Sequence, residues 1–153
     1  IAANPEYIPP PPNPPAERIE LMTGVPTLPP GANVRGSVAI YRASPSSGIV
    51  LFGADNGRLY AYDYTIISGN QLNMGLRWEF LTGASIWSSP AIDPRNFVVY
   101  FGSNDKNFYS VDLFTGVELW RFTSGDRFIS SPVITGGKVF TVDEGGRIYA
   151  FGR

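Results

Sequence analysis

Along residues 50–63 the apolar positions recur every second residue. Val50, Phe52 and Ala54 alternate with Leu51 and Gly53, and Leu59, Ala61 and Asp63 alternate with Tyr60 and Tyr62. A period of two marks β-strands, and the apolar character of both faces is that of a sheet covered on each side by another sheet. Asp55-Asn56-Gly57 and Glu144-Gly145-Gly146 supply residues that accept positive φ, so they read as hairpin turns. No segment carries a helical period.

The same pattern returns along the chain. Phe52 to Asp63 lies over Phe101 to Asp112, and both lie over Thr141 to Gly152, with tyrosines in register at Tyr60, Tyr109 and Tyr149. Upstream, Gly36-Ser-Val-Ala-Ile40 matches Ser88-Ser-Pro-Ala-Ile92 and Ser130-Ser-Pro-Val-Ile134; downstream, Arg77-Trp-Glu-Phe-Leu-Thr-Gly83 matches Leu119-Trp-Arg-Phe-Thr-Ser-Gly125. Repeats of this length, each made of short strands, point to propeller blades of four strands rather than to a sandwich. The first repeat is longer than the second because Thr65 to Met74 is inserted between Asp63 and Trp78; this reads as a lengthened loop, a usual place for partner contacts. The third repeat reaches Arg153 before its own Trp strand, and Arg18-Ile-Glu-Leu-Met-Thr-Gly24 aligns with Arg77 to Gly83, which places a further strand near 18–22.

The expected organisation is therefore a proline-rich arm over residues 1–32 with one strand near 18–22, followed by blades at about 33–83, 84–125 and 126–153 within 33–153. Ile8 to Pro15 fixes an extended polyproline backbone, a semi-rigid spacer or a ligand for an aromatic groove.

Composition narrows the function. The 153 residues carry a net charge of -1 and 14% aromatics, as in a β-rich domain, and the lack of a basic patch argues against nucleic acid. No apolar run approaches the roughly 20 residues that span a bilayer. With Cys 0 and His 0 there is no disulfide, thiolate, zinc or histidine chemistry to assign. The start at Ile1 points to processing or trimming, a removed export signal being one explanation.

The segment Ser110-Val-Asp-Leu-Phe-Thr-Gly-Val-Glu-Leu-Trp120 resembles the Ala-x-Asp-x-x-x-Gly-x-x-x-Trp docking motif of PQQ-like, quinoprotein-type β-propeller repeats. Ala61 with Trp78 is a second copy interrupted by the insertion, and Ala150 begins a third; the resemblance covers residues 34–153. It implies that Trp78 and Trp120 pack between neighbouring sheets against the small residues Ala61, Ser110 and Ala150, with Ile19 at the equivalent place in the first strand. The expected fold is all-β, a partial propeller of three four-stranded blades, the N-terminal strand completing the last blade in cis or in trans.

Enzymes of the family are implied to use a quinone cofactor, calcium, a catalytic Asp and often a vicinal disulfide. This chain departs from that pattern: it lacks cysteine and a converging carboxylate cluster, and three repeats are fewer than the four to eight of closed propellers. The acidic turns Asp55-Asn56, Asn104-Asp105 and Asp143-Glu144 belong to different blades and read as turn residues. No catalytic, cofactor or metal residue is assigned, and no enzyme activity is expected.

The expected function is a non-catalytic binding or scaffold subunit in an extracytoplasmic or membrane-associated complex. Its partners are other protein subunits or further copies of itself. Alternatives are a fragment of a PQQ-dependent dehydrogenase and a ring or filament subunit joined by strand exchange. The partner-binding candidates are Ile66, Ile67, Leu72 and Met74 on the insertion, and Trp87, Arg127 and Phe128 in the loops entering the innermost strands.

Overall fold

The computed structural model describes residues 23–68 and 71–152. The expected strand near 18–22, its Ile19 and the proline arm before it lie outside the described residues. Every regular element described is a β-strand, and the strands form three antiparallel sheets in chain order.

The first sheet is a meander of β1 (Ala39–Ser44), β2 (Ser47–Gly53), β3 (Arg58–Ser68) and β4 (Gln71–Leu81). The second contains β5 (Ala91–Asp93), β6 (Val98–Gly102), β7 (Asn107–Asp112) and β8 (Glu118–Thr123). The third contains β9 (Val133–Thr135), β10 (Lys138–Val142) and β11 (Ile148–Gly152). The array does not close on itself; it is a partial propeller.

The alternation read from the sequence sorts side chains to the two sides of each sheet. Ile49, Leu51, Leu59 and Ala61 of the first sheet pack against Val99, Phe101, Tyr109 and Val111 of the second in one core cluster. The next joint is aromatic: Phe108, Tyr100, Trp120 and Phe122 meet Val139, Tyr149 and Phe151. Burying a side chain such as Phe101 or Phe108 completely contributes about 2–3 kcal/mol, so the two joints carry most of the apolar stabilisation.

Two features differ from the sequence expectation. The insertion at 65–74 is not a loop: β3 and β4 run on through it, paired from Arg58 with Leu81 to Ser68 with Gln71, around a bulge near Ala61 and Tyr62. Thr65, Ile66 and Ile67 are β-branched, so extension of the ladder satisfies backbone groups that a loop would leave to water. The end of the arm expected over residues 1–32 is packed on the first sheet: Ala32 clusters with Phe52, Tyr60 and Tyr62, and Leu28 packs against that cluster.

Sharp turns join β2 to β3, β6 to β7 and β10 to β11, with Gly57, Lys106 and Gly146 at φ of 78, 74 and 82°. The left-handed region suits glycine and costs a side chain roughly 1–2 kcal/mol, so Lys106 is the strained member of the set. Its Nζ donates to the carbonyl of Gly125 at 2.9 Å, which ties the turn to the following segment.

Candidate interaction surface

The joint between the first two sheets is built around Trp78 on β4. Its cross-strand partner on β3 is Ala61, and its Nε1 donates to the carbonyl of Leu113 at 3.0 Å in the turn that follows β7. Gly116 of that turn lies on the indole: a Cβ there would stand 2.6 Å from the ring's Cδ2. Asp112 pre-forms the turn by accepting from the backbone N–H groups of Phe114 and Thr115 and from the Thr115 hydroxyl. The spacing from Asp112 to Gly116 thus has a mechanical meaning: the acid shapes the turn, and the glycine lets the neighbouring tryptophan reach it.

Trp120 stands in the corresponding place on β8, opposite Ser110. Its ring lies 5.2 Å from that of Phe151 on β11 and 6.0 Å from those of Tyr100 and Phe108. Ala150 sits on β11 opposite Phe140 of β10.

The acids at the turns bind across joints. Asp105 accepts from the backbone N–H of Gly83 in the preceding repeat and from the Tyr109 hydroxyl, at 2.8 and 2.7 Å. Asp143 does the same for the Ser124 and Tyr149 hydroxyls, at 2.9 and 2.8 Å. Burial pushes both carboxyls up, but these donors, with the backbone N–H of Asn107 and of Arg147 respectively, outweigh it and hold them below the ordinary carboxylate range. Burial and the Asp105 charge together push the Tyr109 phenol up. Asp55 is held down by its bond from Arg35 and also accepts from the Trp87 Nε1 at 2.8 Å. These oxygens are therefore occupied by protein donors, and among the described residues no three His, Cys, Asp or Glu side chains gather as a metal site.

The loops entering the inner strands place Trp87 beneath two cations. The guanidinium carbons of Arg35 and Arg127 lie 5.3 and 5.7 Å from its ring, and Arg127 pairs with both oxygens of Glu144. Phe128 does not belong to this patch: it is fully buried, packed against Gly102 where a Cβ would come within 2.5 Å of it. It is the counterpart of Ile86, equally buried against Gly53, and the exposed counterpart of Trp87 is Ile129. Registering Ile86-Trp87-Ser88 on Phe128-Ile129-Ser130 gives this assignment from sequence, and it also brings in Arg35 ahead of Gly36-Ser37.

At the tip of the long hairpin, Ile66 and Ile67 are exposed, whereas Met74 packs on the first sheet's outer cluster. Leu72 is half-buried, and its N–H donates to the carbonyl of Thr23 at 2.9 Å, where Thr23 bridges Gln71 in parallel. The tip is carried by β3 and β4, and the Trp87 patch by the loops entering the inner strands.

Residues 30–153 match the family described as outer membrane protein assembly factor BamB. The chain belongs to this family. No match is found among curated proteins. Among solved structures, the WD40 β-propeller domain of Doa1 is 14% identical with a TM-score of 0.59, over 79% of this chain and 38% of that one. A europium-containing methanol dehydrogenase is 14% identical with a TM-score of 0.55, over 79% and 24%. BamB from Moraxella catarrhalis is 16% identical with a TM-score of 0.47, over 78% and 47%. The likeness to the Doa1 domain shows the fold, a β-propeller, and this BamB-family chain spans less than two thirds of each of these structures. Among the described residues no helix is long and apolar enough to cross a membrane.

Proposed function

We propose that this BamB-family chain is a non-catalytic propeller scaffold that holds protein partners in an extracytoplasmic or membrane-associated assembly. The observation that supports it best is the far face of the third sheet, where Val133, Phe140 and Ile148 are 61%, 38% and 76% exposed. The repeat equivalents of Phe140 and Ile148 in the first sheet, Leu51 and Leu59, are wholly buried by the sheet that follows. An exposed apolar face of this kind is one that a further sheet or a partner covers. The family's description as an assembly factor agrees with a binding role.

The test is native mass measurement combined with cross-linking, comparing the unaltered chain with Ile148→Asp and Phe140→Ser. Loss of the associated species in both variants, with folding retained, is the expected result. A chain that stays monomeric overturns the proposal, and one that reduces a dye when given PQQ and calcium overturns it in favour of a dehydrogenase fragment.

A further inference from the structure

The turns that join β2 to β3 and β6 to β7 share one plan but differ in chemistry at one position. In the second, the Asp105 carboxylate accepts from the Asn107 backbone N–H at 3.0 Å through one oxygen and from the Tyr109 hydroxyl at 2.7 Å through the other. In the first, Asn56 stands at that place. Its Oδ1 accepts from the Arg58 backbone N–H at 3.2 Å, so Nδ2 is the atom turned to the buried Tyr60, whose oxygen accepts it at 2.8 Å. The residue after Asn56 is Gly57, and this is the one asparagine–glycine pair of the sequence. The second turn has Asp105-Lys106 and the third Gly145-Gly146, so only the first has a side-chain amide followed by glycine. Glycine shields its nitrogen with no side chain, which makes it the neighbour that best lets an asparagine close a ring on the main chain. In the closed turn both reacting groups are engaged: the Gly57 N–H donates to the Ala54 carbonyl at 3.1 Å, and the amide is held by Tyr60.

We propose that Asn56 is a site of spontaneous deamidation, gated by opening of its turn, and that an aspartate formed there is seated by the cradle Tyr60 and Arg58 already make. In the open turn the Gly57 nitrogen loses its proton to base and attacks Asn56 Cγ. The bond from Cγ to Nδ2 breaks, and the amide nitrogen leaves as ammonia, taking up a proton. Water then opens the cyclic imide at one carbonyl to give aspartate or at the other to give isoaspartate, with no change of oxidation state. The two products diverge. Aspartate keeps the main chain at its length and meets the donors that Asp105 meets, once the Tyr60 hydroxyl turns to donate. Isoaspartate adds one carbon to the main chain beside Asp55, whose carboxylate holds Arg35 and the Trp87 indole. A turn closed by bonds from the Ala54 N–H to the Arg58 carbonyl and from the Gly57 N–H to the Ala54 carbonyl has no slack for that atom, so isoaspartate loosens the Trp87 patch.

The test ages the full chain in mildly alkaline buffer, folded and in urea, and follows the tryptic peptide 43–58, whose one asparagine is Asn56, by mass spectrometry. Isoaspartate is scored with isoaspartyl methyltransferase. The expected result is the mass gain of amide-to-acid exchange in that peptide, roughly tenfold or more slower in the folded chain because only the open turn reacts. Asn56→Asp, the seated product made genetically, should melt about 2–4 °C above the unaltered chain, since a bond to a charged acceptor replaces one between neutral groups. In the aged folded protein a shifted Trp87 indole N–H signal, assigned from Trp87→Phe, should grow with the isoaspartate fraction. No mass gain in the urea-unfolded chain overturns the site, and equal rates with and without urea overturn the gating. A lower melting temperature for Asn56→Asp overturns the seat, and an unmoved Trp87 signal at high isoaspartate content overturns the link to the patch. The scaffold reading stands apart from all four outcomes, because it rests on the third sheet.

Discussion

The Trp78 joint makes a quantitative prediction. In Gly116→Ala the new Cβ meets the indole at 2.6 Å, and the backbone at φ 70° becomes a left-handed conformation for a residue with a side chain. The second effect alone costs about 1 kcal/mol, and displacing a packed ring costs about 1–3 kcal/mol more, so the total is about 2–4 kcal/mol. Trp78→Ala removes a half-buried indole and its bond to the Leu113 carbonyl; with exposure discounted, the expected loss is about 3 kcal/mol. The decisive quantity is the coupling. Once the indole is gone, the alanine at 116 has nothing to strike and only the backbone cost remains, so the double variant is less destabilised than the sum of the single ones by about 1–3 kcal/mol. Urea unfolding of the four proteins, with unchanged m-values as a check on two-state behaviour, measures it. Additivity within about 0.5 kcal/mol would show that Gly116 and Trp78 do not touch, and the account of how the sheets join would fail with it.

Further outcomes follow from single positions. Phe128→Ala should cost about 3–5 kcal/mol in urea unfolding, as for a fully buried aromatic, whereas Ile129→Ala should change stability by less than about 0.5 kcal/mol. Lys106→Gly should stabilise by about 0.5–1 kcal/mol, the released left-handed strain exceeding the exposed bond to Gly125, and a lower melting temperature would refute this. Asp105 and Asp143 titrate below their unfolded values, so the stability they add is complete above the ordinary carboxylate pKa of about 3.9 and is lost as pH falls through their lower folded values. Melting temperature should therefore hold between about pH 5 and 8 and fall below about pH 4, with Asp105→Asn showing a shallower acid limb. Because the Tyr109 phenol is pushed up, the unfolded chain ionises first, and stability should also fall as pH rises above about 10.

Much of the fold was legible because it is written more than once. Tyr60, Tyr109 and Tyr149 each follow an apolar residue, Leu59, Phe108 and Ile148, at the same place on β3, β7 and β11, and Trp78 and Trp120 stand opposite their small partners at matching places. Repetition separates a signal from the local noise of propensity. What occurs once was harder to read. The insertion carries Gly, Asn and polar residues typical of loops, and only pairing of its two halves, a long-range property, reveals the extended hairpin. Leu28 and Ala32 lie in a Pro-Gly stretch with no period, so nothing local announces that they cover Tyr60 and Tyr62. Phe128 looked like a recognition residue because it follows Arg127 in an entering loop; its burial depends on Gly102, 26 positions earlier and on another sheet. The candidate surfaces were thus only partly readable, since exposure is decided by neighbours that the alignment of repeats does not name.

The inner strands are stitched by two bonds of one kind: the Ser37 N–H donates to the Ser89 hydroxyl at 2.8 Å, and the Ser89 N–H to the Ser131 hydroxyl at 3.0 Å. Each stitch takes its donor from main chain, which mutation cannot remove except with proline, and its acceptor from the later side chain, which a single codon can delete. Damage therefore travels one way. Ser89→Ala opens the seam behind it and leaves the one ahead intact, and Ser131→Ala spares the first seam altogether. The array has a front and a back at its hub, so a lineage adding or losing units can edit either seam without rewriting the other.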